Sequence, residues 1–148
     1  MIKISRLAAT LAAFLVAPWA LAMDPPEGTM DENNTFLSST GGPYAATNTT
    51  GLAGDPVCTP TTCDEYLLNI GFDAGFVSAN PNFEIRFEIG WDMAADDIDV
   101  YFYDDQGNEL GTAATSANPE AFQVKLSQAT SSIRVVLVLF DTLRADRL

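Results

Sequence analysis

The chain has 148 residues, with 20 Asp and Glu against 7 Lys and Arg and no His, so it carries a formal charge of −13 at pH 7. A surface of that sign repels phosphate backbones and anionic lipid heads, which argues against nucleic-acid or membrane-surface binding, and it favours divalent cations. The missing imidazole removes Ser-His-Asp and Cys-His catalysis, the usual zinc hydrolase sites and the commonest general base together.

Residues 1–22 read as a cleaved secretory signal, with an uncleaved N-terminal anchor as the minor alternative. Lys3 and Arg6 form a positive start, residues 7–16 an apolar run, and Ala20, Leu21 and Ala22 a small-x-small cleavage site. The run is short and Ala-rich for a membrane span. The expected mature product is soluble, without a membrane after signal cleavage, and secreted to an extracellular or periplasmic compartment. Removing 22 of 148 residues leaves 126, one ordinary domain. Seven Lys and Arg less Lys3 and Arg6 leaves five against 20 Asp and Glu, a charge of −15.

Residues 23–56 are rich in Asp, Asn, Thr, Gly and Pro and read as a flexible segment, with Phe36, Leu37 and Tyr44 able to pin short extended pieces to a sheet edge. Cys58 and Cys63 then stand in a Thr/Pro-rich loop. In an exported protein they are expected to form a disulfide, worth about 2 kcal/mol on the chain-entropy account. A zinc or redox pair is a weaker reading, because the spacing is not C-x-x-C and no His completes a metal site.

The ordered domain is expected over 57–148. Tyr66, Leu68, Ile70 and Phe72 alternate with Leu67, Asn69 and Gly71, a strand pattern. Residues 73–82, with Gly75, Pro81 and two Asn, read as a loop. Phe83, Ile85, Phe87, Ile89 and Trp91 send every apolar side chain to one face of the next strand. After an acidic loop, Ile98, Val100 and Phe102 do the same, with Asp97, Asp99, Tyr101 and Tyr103 on the other face. Residues 104–108 form a hairpin turn in which Gly107 supplies a positive φ, and 109–112 a short return strand. Phe122, Val124 and Leu126 mark one more strand. Residues 133–140, IRVVLVLF, are apolar on both faces after Arg134, as in a central strand covered on both sides. No amphipathic helix is expected. The fold class is all-β, a small antiparallel β-sandwich of the jelly-roll or Greek-key kind.

Asp92, Asp96, Asp97 and Asp99 lie in or beside one loop, and Asp104 and Asp105 lie at the far end of the following strand. Carboxylates on a flexible loop suit Ca²⁺, which accepts irregular oxygen shells, so Asp92, Asp96, Asp97, Asp99 and Asp104 are the candidate calcium ligands. The plainer alternative is that they cap turns and keep a sheet rim soluble. Asp104, Gln106 and Asn108 have the spacing of an EF-hand start, but its Gly and closing Glu are not in their places. Tyr101 and Tyr103, projecting beside Asp97 and Asp99, are a candidate sugar platform; packing under a neighbouring loop or sheet is the alternative. Paired carboxylates could hydrolyse glycosides, but a sandwich of this size with short loops rarely forms the groove that requires. The chain is therefore read as a non-enzyme.

The run CDEYLLNI at 63–70, the alternating strand ending at Trp91, the segment DDIDVYFY at 96–103, the turn through Gly107 and Asn108, and Arg134, Val135 and Val136 together resemble the bacterial pre-peptidase C-terminal domain family. The resemblance covers about 56–141 and rests on strand pattern and turn chemistry. It implies a small jelly-roll-like sandwich, attached in that family to secreted proteases and other exported proteins, typically non-catalytic. Some members bind calcium or assist attachment to substrate or matrix, and Asp97, Asp99 and Asp104 would be the ion-binding or turn-stabilising positions. It also implies a closing strand beyond residue 141, whose absence would leave an open edge beside the most apolar strand. The expected role is a stand-alone accessory or adhesion module with polysaccharide or protein partners; a carbohydrate-binding module is the alternative.

Overall fold

In the computed structural model of the chain, the described residues are 23–42, 63–92, 96–126 and 131–141. The expected signal at 1–22, Tyr44 and Cys58 lie outside them. The described chain is all-β: β1 (Glu27–Met30), β2 (Cys63–Ile70), β3 (Glu84–Ile89), β4 (Asp96–Asp104), β5 (Glu109–Ala113), β6 (Glu120–Lys125) and β7 (Ser132–Asp141), with one short helix, α1 (Ala74–Ala79). They form a five-stranded sheet in the order β1-β2-β7-β4-β5 and a two-stranded sheet of β3 and β6. The chain therefore passes between the sheets four times, at β2 to β3, β3 to β4, β5 to β6 and β6 to β7. All pairings are antiparallel except that of β1 with β2.

The period of two explains the packing. On the inner face of the large sheet, Ile98, Val100 and Phe102 of β4 join Ile133, Val135 and Leu137 of β7 and Tyr66 and Leu68 of β2 in one buried cluster. Ile85 of β3 and Val124 of β6 close it from the small sheet. At its centre the fully buried Phe102 ring stacks on Phe122 at 4.2 Å and lies 4.9 Å from Phe87. Gly111 makes room for this trio. A Cβ there would stand 2.6 Å from Phe122 Cε2.

β7 is the central strand its composition called for. It pairs with β2 on one side and β4 on the other. Ile133, Val135 and Leu137 fill the inner cluster, and Val136 and Val138 are buried with Cys63 and Tyr103 on the outer face. This strand is therefore not at an edge, and among the described residues the edges of the sheet are β1 and β5.

Two expectations from the sequence are corrected. Part of the segment expected to be a flexible lead-in is β1, which runs parallel to β2 with Glu27 opposite Leu67 and Met30 opposite Ile70. It has no apolar alternation because backbone bonding to an available edge holds it, as in Gly71 N–H to the Met30 carbonyl at 2.8 Å. Part of the loop expected at 73–82 is α1. Asp73 caps it by accepting the Phe76 N–H at 2.7 Å, and Phe76 stacks on Phe72 at 4.7 Å and meets Phe83 edge-on. Six residues are too few to display a helical period.

The hairpin at 104–108 forms as expected. Gly107 has φ 83°, its N–H donates to the Asp104 carbonyl, and β5 returns along β4 with a register shift at Phe102/Tyr103.

Candidate functional site

The outer face of the large sheet brings together four of the polar side chains singled out from the sequence. Along β4, alternation places Asp97, Asp99, Tyr101 and Tyr103 there, opposite the face that packs on β3 and β6. In the sheet register Asp99 and Cys63 flank Val138, Tyr101 and Glu65 flank Val136, and Tyr103 and Leu67 flank Arg134. Among the described residues Arg134 is the cation of this face. Its guanidinium lies 4.7 Å from the centre of the Tyr103 ring and its Nη1 is 3.4 Å from Glu65 Oε1.

This geometry bears on the tyrosine pair. Tyr103 is buried, 5% exposed, with Arg134 over its ring, while Tyr101 is half-buried against the same outer cluster. The two rings therefore do not present one open platform. Alternation correctly gave the face they occupy, but it carries no information about what covers that face.

The candidate calcium ligands are divided. Asp92 is exposed just beyond Trp91, and Asp96 begins β4 with its side chain outside the described residues. Asp97 and Asp99 project from the outer face, and Asp99 is only 2% exposed. Asp104 is five strand residues beyond Asp99, roughly 17 Å at ordinary strand rise, and its carboxylate is committed to the turn. Its Oδ1 accepts the N–H groups of Gln106 at 2.9 Å and Asn108 at 2.8 Å, and its Oδ2 accepts Asn108 Nδ2–H at 2.9 Å. Among the described residues no three His, Cys, Asp or Glu side chains converge in a way that could hold a metal ion.

The donors around Asp104, the Asn108 side-chain amide foremost and then the two backbone N–H groups, hold its carboxyl below the ordinary 3.8 against the charge of Asp105. Because the folded-state value is the lower one, this contribution is complete above about pH 3.8 and is lost as pH falls through the depressed value. In acid titrations of unfolding, wild type should therefore lose stability more steeply below pH 4 than Asp104→Asn, which has no charge to lose. Parallel acid limbs would show that the turn does not depend on the ionised carboxylate.

Cys63 is buried at the start of β2 and belongs to the outer cluster. Its expected partner Cys58 lies outside the described residues. Trp91, expected in the core, does pack against the inner cluster. Its carbonyl accepts Asn118 Nδ2–H at 2.7 Å and its N–H donates to Asn118 Oδ1 at 3.3 Å.

Two acids that the sequence reading passed over are among the most buried polar groups. Glu120, 2% exposed, accepts the Thr115 N–H at 2.5 Å and the Thr115 hydroxyl at 2.7 Å through Oε1, which ties down the loop before β6. Asp64, 6% exposed, accepts the N–H groups of Met23 and Glu65, both at 2.9 Å, through Oδ1. Asp64 had a legible signal, since it stands in phase with Tyr66, Leu68 and Ile70, an acid on the apolar phase of its strand. No family model, curated protein or solved structure matches the chain.

Proposed function

We propose that this protein is an exported, non-enzymatic β-sandwich module that acts by binding, as an accessory or adhesion domain with extracellular polysaccharide or protein as its partner. The observation that carries this reading is how the acidic side chains are used. Asp31 holds the 31–34 turn, Asp73 caps α1, Asp104 closes the β4–β5 turn, Asp105 accepts the Ser131 hydroxyl, and Glu120 fastens the loop at Thr115. In a chain with no His, carboxylates are the main remaining acid-base groups, and these five are held by hydrogen bonds that maintain turns and loops. The sugar-binding alternative loses its two-ring platform to the burial of Tyr103.

Calcium belongs to this reading as a stabilising ion at the acidic loop around Asp92, Asp96 and Asp97. One set of measurements tests both parts. The chain from Met23 onward is assayed against ester, peptide and glycoside substrates, retention on cell-wall polysaccharide and extracellular protein is measured, and thermal unfolding is followed in EDTA and in millimolar Ca²⁺. Retention without turnover is the expected result. A hydrolytic rate that disappears in Glu120→Gln or Asp99→Asn would overturn the non-enzymatic reading. A site of about 10 μM affinity at 1 mM Ca²⁺ raises stability by about 2.7 kcal/mol, and Asp97→Asn should abolish that rise. Identical unfolding with and without calcium would remove the ion from the proposal and leave the binding role standing.

A further inference from the structure

The backbone nitrogen of Met23 lies 2.9 Å from Asp64 Oδ1. This is the residue that follows the expected cleavage point, and its nitrogen meets one of the most buried acids in the protein. The neighbourhood fixes the contact. Asp24 exchanges two backbone hydrogen bonds with Thr40, at 2.8 and 3.2 Å, the Met23 side chain packs against the inner cluster, and Leu67 N–H donates to the Pro26 carbonyl. The first residues after the cleavage point are therefore held against β2 by backbone bonds and by apolar contact.

Asp64 is incompletely satisfied. Its Oδ1 accepts two N–H groups, but its Oδ2 is buried and has no hydrogen-bond partner among the described residues. The residue opposite it on β7 is the apolar Leu137, and the neighbouring acid Glu65 adds like charge. Burial, with Glu65 in support, pushes the Asp64 carboxyl above its ordinary value in spite of the two N–H donors. A carboxylate left in this condition destabilises a fold unless a cation reaches it.

We propose that cleavage before Met23 supplies that cation: the new α-ammonium forms a buried ion pair with Asp64, so that removal of the leader completes the fold. The inference rests on the export reading of residues 1–22. Hydrolysis by a leader peptidase adds water across the Ala22–Met23 peptide bond. Ala22 leaves with the new carboxylate, and the Met23 nitrogen takes up protons to become an ammonium at neutral pH. One N–H at that position becomes three, which is enough to keep the bond to Oδ1 and serve Oδ2 as well. The uncleaved chain has the same contact with a single neutral donor, so the maturation step changes the charge at a place already built to receive it.

The test begins with the full chain exported through its own leader, followed by intact mass and N-terminal sequencing. A mature start at Met23 is required. Any other start overturns the pairing, and absence of cleavage overturns the export reading with it. Stability is then compared for the chain beginning at Met23 and the chain retaining Ala22, each with and without Asp64→Asn. Retaining Ala22 should reduce the folding equilibrium constant at least tenfold, a shift of several degrees, because a charged hydrogen bond is lost. In the Asp64→Asn background the extra residue should make little difference. Equal stability of the two wild-type chains, or an equal loss in both backgrounds, overturns the ion pair even if the start at Met23 is confirmed.

Should Asp64→Asn fail to fold, the wild-type mature chain provides an independent reading. Its only lysine is Lys125, which is exposed. An unpaired α-amine, with a pKa near 8, reacts with acylating reagents before a lysine at about 10.4. The folded mature chain should show the reverse order by mass spectrometry, Lys125 first and Met23 only after denaturation. Acylation of Met23 first in the folded state overturns the proposal.

Discussion

Phe102→Ala should lower the free energy of unfolding by about 3–5 kcal/mol, the usual cost of emptying a fully buried aromatic site. The ring is 0% exposed and has aromatic neighbours on β3 and β6, Phe87 at 4.9 Å and Phe122 at 4.2 Å. It is therefore the place where β4 of the large sheet grips both strands of the small one. The two flanking rings cannot close the gap without moving β3 and β6, which are paired along six residues each, so most of the cavity should persist. Denaturant titration should show a lower midpoint with an unchanged slope, meaning a weaker fold and not a looser one. A loss below about 2 kcal/mol would mean that the small sheet collapses onto the space and that the sheets are less firmly positioned than their pairing implies.

Gly111→Ala tests the same aromatic cluster from the opposite direction, by adding a single carbon. The new Cβ would stand 2.6 Å from Phe122 Cε2 and 2.9 Å from its Cζ. That ring is stacked on Phe102 with an interplanar angle of 17°, so moving away from the new carbon would press it on Phe102 or break the stack. Overpacking of this kind costs about 1–3 kcal/mol. Shortening the obstructing side chain should relieve it: Gly111→Ala with Phe122→Leu should cost clearly less than the two single changes added together, an interaction that appears only between groups in contact. Strict additivity would place the cost in the backbone at Gly111 and remove the ring from the explanation.

The parts of this fold that were legible in the sequence are those where one face of a strand meets the core. Ile98, Val100 and Phe102, and Ile85 with its neighbours on β3, alternate because every second position is buried, and β7 is apolar on both faces because both are covered. The turn at Gly107 was legible for another local reason, its positive φ. What was not legible depends on contacts distant in sequence or on elements too short to show a period. β1 has only four residues and is held by backbone bonds, and α1 is nominated by its Asp73 cap and three phenylalanines instead of a helical repeat.

The candidate site divides along the same line. Local spacing placed Asp97, Asp99, Tyr101 and Tyr103 on one face. It could not show that Arg134, 31 residues beyond Tyr103, would lie over that ring, or that Asp104 would spend both carboxylate oxygens on its own turn. Closeness along a strand is a poor guide to convergence of side chains, because each residue advances the chain by about 3.3 Å. Asp64 is the converse case. Its partner nitrogen is 41 residues away, and only the fold brings the two together.

The sheet order has a kinetic consequence. β2 and β4 are separated in space by β7, which follows both of them in the chain, so neither can complete its inner hydrogen bonds until β7 arrives. Closing the sheet from β2 to β7 joins Cys63 to Val138, a long loop whose entropy is lost before any pairing is gained. An emerging chain of this topology can pair β4 with β5 and β3 with β6, but it cannot join the two halves of its large sheet until residues 131–141 have been delivered. On the export proposed above, closure of the large sheet would wait for the arrival of β7.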